Sequence, residues 1–204
     1  MGMKVLLVVS HDGHKIDDQV FNAVTAISTL FSSFDAVVLG YQCDDVVDQT
    51  SRIPGVSTVH YVNDAVLVNR LSEVVTEALL HVVSDFDMII FASNTTTKNI
   101  LPRLAAKLDI SPITDVCEIV ESTVFKRPIY AGNIIETISS NQKKIILSIR
   151  SASFQKTSLG DRVVANKKQC TLDLTSSKTQ FVRSDITPLN RPELSAAKIV
   201  VSGG

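Results

Sequence analysis

The chain has 204 residues, 45% of them hydrophobic and 20% charged, with a formal net charge of -1 and a pI near 6.4. A chain of this length buries roughly two-thirds of its unfolded surface, so the composition fits one domain with a tail better than two full domains. The neutral balance and the absence of Trp argue against a nucleic-acid partner, which asks for basic patches and ring platforms.

Cys43, Cys117 and Cys170 are odd in number and without a CxxC spacing, pointing to a reducing compartment with neither a disulfide frame nor a zinc site. No apolar run has membrane-spanning length, so no membrane insertion is expected. The chain enters a strand pattern at once, without a cleavable signal or an Arg/Ser-rich transit peptide, and a bacterial cytoplasm is the expected location.

Lys4 to Val9 is a continuous apolar run, suited to a strand covered on both faces. Ile16, Val20, Ala23, Val24, Ile27 and Leu30 recur at helical spacing, with Asp17 and Asp18 as helix-start charges. A strand over Ala36–Leu39, a short helix over Asp44–Thr50 and a strand over Thr58–Val62 follow. Leu67, Leu71, Val74, Val75, Ala78, Leu79 and Val82 predict the clearest helix of the chain. Met88–Phe91 reads as the fourth strand, and Ile100–Leu108 as a helix with Pro102 near its first turn. Repeated strand and helix with right-handed crossovers predicts an α/β fold: a doubly wound, mostly parallel, Rossmann-like sheet.

Beyond Pro112 the pattern shortens. Val116–Val120, Val124–Tyr130, Ile134–Ser139 and Ile145–Arg150 read as strands, with a hairpin loop at Ser140–Lys143 and Lys143-Lys144 as its solvated tip. The expectation is an antiparallel β extension of the parallel sheet. Arg162–Ala165 and Cys170–Leu174 are further strand candidates in a polar stretch. Ser184–Pro192 reads as a linker, because Thr187-Pro188 and Arg191-Pro192 disfavour helix.

His11-Asp12-Gly13-His14 follows the first strand, at the edge where doubly wound sheets bind ligands. A metal there needs a third or fourth ligand, and neither His60, in a strand, nor His81, on a helix, is an obvious one, so a polar turn about Gly13 is expected and no metal. Ser93–Asn99 follows the fourth strand. Thr95, Thr96, Thr97 and Lys98 form a possible, degenerate nucleotide site there, without the glycines of a phosphate loop, and the competing reading is a helix cap. No Ser-His-Asp or Cys-His spacing marks a nucleophile. Cys117 reads as a small core residue, so no catalytic residue is expected.

Phe125-Lys126-Arg127-Pro128-Ile129-Tyr130-Ala131-Gly132-Asn133 resembles the R-P-I-Y-A-G-N signature of the electron-transfer flavoprotein alpha subunit family. Three more segments agree in the family's order. Thr95–Ala106 is similar to its T-T-x-G-K-N-x-x-P-R-x-A-A, with Thr97 where many members have Gly. Ile113–Val116 is similar to its I-S-D-I, and Arg191–Gly204 to the R-P-E-L-x-x-A-K-x-V-V-S-G-G that opens its flavin domain.

The resemblance implies an electron carrier, not an enzyme. Residues 1–183 would form the N-terminal domain, and 184–204 a linker and the first strand of an FAD-binding domain whose contacts lie mainly beyond Gly204, leaving no FAD site in this chain. The partner implied is a beta subunit in a heterodimer. The complex would take electrons from acyl-CoA and other dehydrogenases and pass them to a quinone oxidoreductase. It would act in the bacterial cytoplasm, or in the mitochondrial matrix of a eukaryotic source after transit-peptide removal. Arg127, Tyr130 and Asn133 are candidate interface residues, since Arg and Tyr are common anchors and Gly132-Asn133 permits a sharp reversal. The alternative is an adenine-nucleotide-binding α/β domain, an enzyme or sensor using the carboxyl edge of its sheet.

Overall fold

A computed structural model describes residues 2–162, 165–174, 178–185, 197 and 199–203. Its centre is a parallel sheet of seven strands in the order β10-β3-β2-β1-β4-β9-β5. In chain order these are β1 (Val5–Val8), β2 (Phe34–Gly40), β3 (Val56–Asn63), β4 (Met88–Ala92), β5 (Ile113–Val116), β9 (Ile145–Ile149) and β10 (Asn166–Gln169). A separate antiparallel sheet holds β6 (Glu118–Glu121), β7 (Val124–Ile129) and β8 (Ile134–Ser139).

The apolar runs explain the layers. In the central strands successive side chains enter opposite cores. Leu7, Val38, Ile90 and Leu147 face α1 (Asp18–Ser28) and α2 (Asp44–Thr50), whereas Leu6, Val37, Ile89 and Ile146 face α3 (Ser72–Val82) and α4 (Thr95–Lys107). Each such side chain, removed from water, contributes about 1.5–3 kcal/mol before chain entropy is counted. α1 buries Val20, Ala23, Val24 and Ile27 of the predicted stripe, and Phe21 besides; Ile16 precedes the helix, and Leu30 lies beyond its end and is exposed.

Several expectations need correction. The antiparallel part is present as a small sheet of its own, β6, β7 and β8, but Ile145–Arg150 does not belong to it: β9 returns to the main sheet as a parallel strand between β4 and β5. Ser140–Lys143 is therefore no hairpin loop but the passage between two sheets. Lys144 is no solvated tip either: its ammonium donates to the carbonyls of Val83 (2.6 Å), Ser84 (3.3 Å) and Phe86, satisfying acceptors where α3 ends. Partial burial lowers its pKa, a pull that Asp87 and Asp85 oppose.

The long helix expected from Leu67 is two elements. A 3-10 turn covers Ala65–Leu67, and Arg70 at φ +45° interrupts the chain before α3 begins at Ser72. α4 starts at Thr95, not Ile100, because Asn94 and Thr97 cap it reciprocally; Pro102 thus lies inside the helix, with no N–H to return to the carbonyl four residues back. The strand expected over Val116–Val120 is split between β5 and β6 at Cys117. Among the described residues the last strand is Asn166–Gln169, between the two segments proposed for it; Val163 and Val164 lie outside the described residues. Of the linker, residues 186–192 lie outside them too. Ala197 and Ile199–Gly203 are described without strand, with Ile199, Val200 and Val201 exposed.

Candidate functional site

β1 delivers the chain to the carboxyl edge of the sheet at Ser10 and His11. His11 is only 8% exposed. Its Nε2 lies 3.0 Å from the Leu39 carbonyl of β2, which can only accept, so Nε2 carries the hydrogen. Nδ1 is then a lone pair, and it receives the N–H of Gly13 at 3.1 Å and a guanidinium N–H of Arg70 at 3.3 Å. Burial, and secondly the Arg70 charge, hold the imidazole neutral and lower its pKa from 6.5 to about 4.

Two backbone features allow this nest. Gly13 sits at φ +114°, and a Cβ on Gly40 would stand 3.0 Å from the His11 ring and 3.2 Å from Cys43, so a side chain there would push the imidazole or Cys43 aside by a few tenths of an ångström. The left-handed turn at Arg70 swings its side chain back over the edge. Asp12 is tied into the same loop: burial raises its pKa, but the N–H groups of His14 and Lys15, both at 2.7 Å, outweigh this and hold the carboxyl below its usual range.

Thr95, Thr96, Thr97 and Lys98 form the first turn of α4, and they divide. Thr97 is buried. Its hydroxyl donates to the Ala92 carbonyl at 2.6 Å and accepts the Asn94 N–H at 2.9 Å, while its own N–H goes to Asn94 Oδ1 at 2.8 Å. Thr95, Thr96 and Lys98 face an open cleft of about 810 Å³, whose other lining includes Asp12, Lys15, Asp17, Asp18 and Gln19. Lys98 Nζ lies 3.9 Å from Asp115, which itself accepts from the Ser93 hydroxyl and sits at φ +56° in β5.

Inside the edge the space is small. A cavity of about 90 Å³ remains between His11, Arg70, Phe91 and Thr97. Ligand pockets run to roughly 300–1,000 Å³. At this edge the inner space is filled by His11 and Arg70, and the outer cleft mixes the carboxylates of Asp12, Asp17 and Asp18 with the ammonium groups of Lys15 and Lys98.

His60 and His81 lie away from His11. His60 pairs with Asp35 at 2.9 Å and stacks edge-on against Phe86. Together with His81 it lines a cavity of about 450 Å³ near the amino ends of β1 and β2. Among the described residues no three His, Cys, Asp or Glu side chains gather as metal ligands. Cys117 is half-buried, its thiol 3.4 Å from the Lys126 carbonyl.

The second candidate region is the β7–β8 hairpin. Arg127 Nε donates to Glu136 at 2.8 Å across the ladder, and both side chains are half-buried. At the tip Tyr130 (φ +48°), Ala131 (+54°) and Gly132 (+90°) are successively left-handed. Such a conformation costs a non-glycine residue about 1–2 kcal/mol. It leaves Tyr130 74% exposed beside Ile134 (49%) and Ile135 (55%), with Asn133 also at the surface. The hairpin is rooted by Phe125, which is fully buried opposite Ile138. Arg127, Tyr130 and Asn133 thus lie on one projecting element. The exposed Ile134-Ile135 pair beside them escaped the sequence reading, although two consecutive apolar residues in an otherwise alternating strand were a usable signal.

A family profile described as "Electron transfer flavoprotein domain" matches residues 5–175. The chain is 31% identical over 99% of its length to an electron transfer flavoprotein subunit alpha of Pseudomonas aeruginosa, covering 65% of that protein. It is 30% identical over 98% of its length to a mitochondrial alpha subunit of Dictyostelium discoideum, and 33% identical over 98% to a probable mitochondrial alpha subunit of Caenorhabditis elegans, covering 60% of each. The chain therefore spans somewhat under two-thirds of the length of these relatives.

Proposed function

The chain belongs to the electron transfer flavoprotein family, and we propose that it serves as the N-terminal, partner-binding part of an alpha subunit. Its order of elements and its likeness to named alpha subunits support that reading. The observation that carries the division of labour is the carboxyl edge: His11, Arg70 and Thr97 occupy with their own hydrogen bonds the place where this fold takes a nucleotide. These residues then act as a platform, while the FAD of the complex is held by other residues.

In this proposal the partner is the beta subunit of a heterodimer, and Arg127, Tyr130 and Asn133 belong to the surface that meets it. Acyl-CoA and other flavin dehydrogenases donate electrons to the complex, and a quinone oxidoreductase accepts them. The setting is the bacterial cytoplasm or the mitochondrial matrix, and among the described residues no helix is long and apolar enough to cross a membrane. Thr95, Thr96 and Lys98 keep the position of a nucleotide site without the glycines that let a backbone approach phosphate closely.

The test is a visible spectrum of the purified chain after incubation with FAD and desalting, with calorimetry against AMP and ATP. A colourless protein giving no heat is expected. Retained flavin, or a saturable heat with either nucleotide, overturns the division of labour.

A further inference from the structure

The cavity of about 450 Å³ lies at the opposite end of the strands from His11, and its size falls within the roughly 300–1,000 Å³ of small-molecule sites. Much of its lining is apolar. Phe34, Val82 and Phe86 are buried, and Leu172, on the chain that leaves β10, packs on the same core as Val82 and Phe86. A parallel strand covered on both faces is expected to be apolar throughout. Asp35 of β2 and His60 of β3 depart from that, and Lys168 stands next to them on β10. Asp35 pairs with Leu6, Val37 with His60, and His60 with Lys168, so all three share the face of Leu6 and Val37 that meets α3.

The hydrogen bonds of this group leave one donor and one acceptor side by side. His60 Nε2 lies 2.9 Å from a carboxylate oxygen of Asp35, which accepts, so Nε2 carries the hydrogen and Nδ1 of the neutral ring is a lone pair. Phe86 meets the ring edge-on with the centroids 5.6 Å apart, and the His60 side chain is only 11% exposed. Nδ1 has no partner among the described residues. Nor has the Lys168 ammonium, whereas that of Lys167, on the other face of β10, reaches Asp48. The carboxylates of the lining are engaged elsewhere: Asp35 with His60, and Asp85 in the field of Lys144. Lys4 brings a second ammonium to the same lining, also without an ion pair among the described residues.

We propose that this cavity binds a small carboxylic acid that carries a hydroxyl next to its carboxylate and has an apolar body. The carboxylate takes the Lys168 ammonium, the hydroxyl donates to His60 Nδ1, and the body lies on Val82, Phe86 and Leu172. Each part answers one feature of the lining. An unpartnered cation attracts an anion. A lone pair on a mostly buried ring lacks a donor, and a hydroxyl supplies one without adding charge. Asp35 is a positioning residue, because its hydrogen bond fixes the tautomer that makes Nδ1 an acceptor. A phosphate or other multiply charged head fits less well, since Asp35, Asp85 and the negative, carboxyl-terminal end of α3 border the same space. The site uses no residue of the His11 edge or of the β7–β8 hairpin, so it stands or falls apart from the partner-binding reading.

The test is calorimetric titration of this chain with mandelate, which has all three parts, and with phenylacetate, which lacks only the hydroxyl. Mandelate is expected to saturate, and phenylacetate to bind at least about tenfold more weakly. Lys168→Gln is expected to weaken mandelate by at least about tenfold, and Lys15→Gln, at an exposed lysine of the opposite edge, to change nothing. His60→Phe keeps a ring against Phe86 and should erase the difference between the two acids. Melting curves check that each variant folds, and if His60→Phe does not, the two acids and Lys168→Gln decide. Bound mandelate should also slow alkylation by iodoacetamide of Cys170, whose residue lines the cavity, as read by mass spectrometry. No saturation with mandelate up to about 10 mM, equal binding of the two acids, or full binding by Lys168→Gln overturns the proposal. Saturation that leaves Cys170 unprotected overturns it too, since the acid then sits elsewhere.

Discussion

The carboxyl edge of the large sheet and the hairpin of the small one treat polar and apolar groups in opposite ways. At the edge, a position that the fold offers to ligands is closed from within: His11 accepts from Gly13 and Arg70, and Thr97 spends its hydroxyl on Ala92. At the hairpin, groups that could be covered are left out, with Tyr130 held in a left-handed conformation at 74% exposure. The difference teaches where to look for function in a fold with many uses. The informative place is the one whose groups are unsatisfied, not the one where related folds bind.

The largest effect is expected at the root of the hairpin. Phe125→Ala empties a fully buried site between the small sheet and the body, and a loss of about 3–5 kcal/mol in urea unfolding is expected. A loss below about 1 kcal/mol would mean that the two regions are not mechanically joined.

The next effect is a pH dependence from the edge. The folded-state pKa of His11 lies near 4, below the ordinary 6.5. The unfolded chain therefore binds the extra proton first. Stability from this group is fully present above pH 6.5 and falls as pH drops toward 4, by about 3 kcal/mol in all. His11→Gln should flatten that slope in denaturation at stepped pH. An unchanged slope would show that the edge is not closed by a neutral imidazole.

A smaller loss, about 1–2 kcal/mol, is expected for Lys144→Ala, which leaves the Ser84 and Phe86 carbonyls without that donor while Val83 keeps the Phe86 N–H. Thermal unfolding measures it, and a neutral result would mean that water replaces the ammonium. The smallest expected change is of opposite sign. Tyr130→Gly removes the left-handed strain and should leave stability unchanged or raise it by up to about 1 kcal/mol, while weakening capture by a beta subunit in a pull-down. Loss of stability instead would place Tyr130 with the structural residues and erase the contrast.

Much of this was legible from residue pattern. The continuous apolar run of β1, the stripe of α1 and the limits of α2 and β8 follow from local periodicity, which needs no partner to be read. Strand partnership does need one, and there the reading failed: Ile145–Ile149 was assigned to an antiparallel extension although all five residues are buried, the signature of a strand covered on both faces. The edge failed for a related reason. Helical spacing ran unbroken from Leu67 to Val82 and hid the left-handed turn at Arg70, the turn that carries the guanidinium to His11. No property of arginine announces a positive φ. The cap over Ser93–Asn99, by contrast, is legible from residue type as the alternative to a nucleotide site, and the Asn94–Thr97 capping box bears it out.

The placement of β9 between β4 and β5 also has a consequence in time. On the ribosome, Ile113–Val116 emerges before the strand that makes its seat, Ile145–Ile149, exists. At about 5–20 residues per second the wait is on the order of seconds, far longer than the microseconds in which a hairpin closes. The small sheet, whose pairings are all local, is thus expected to form first and hang from an unfinished body. Its arrival at the main sheet is then a docking of a preformed unit, completed when β9 slides in beside β4.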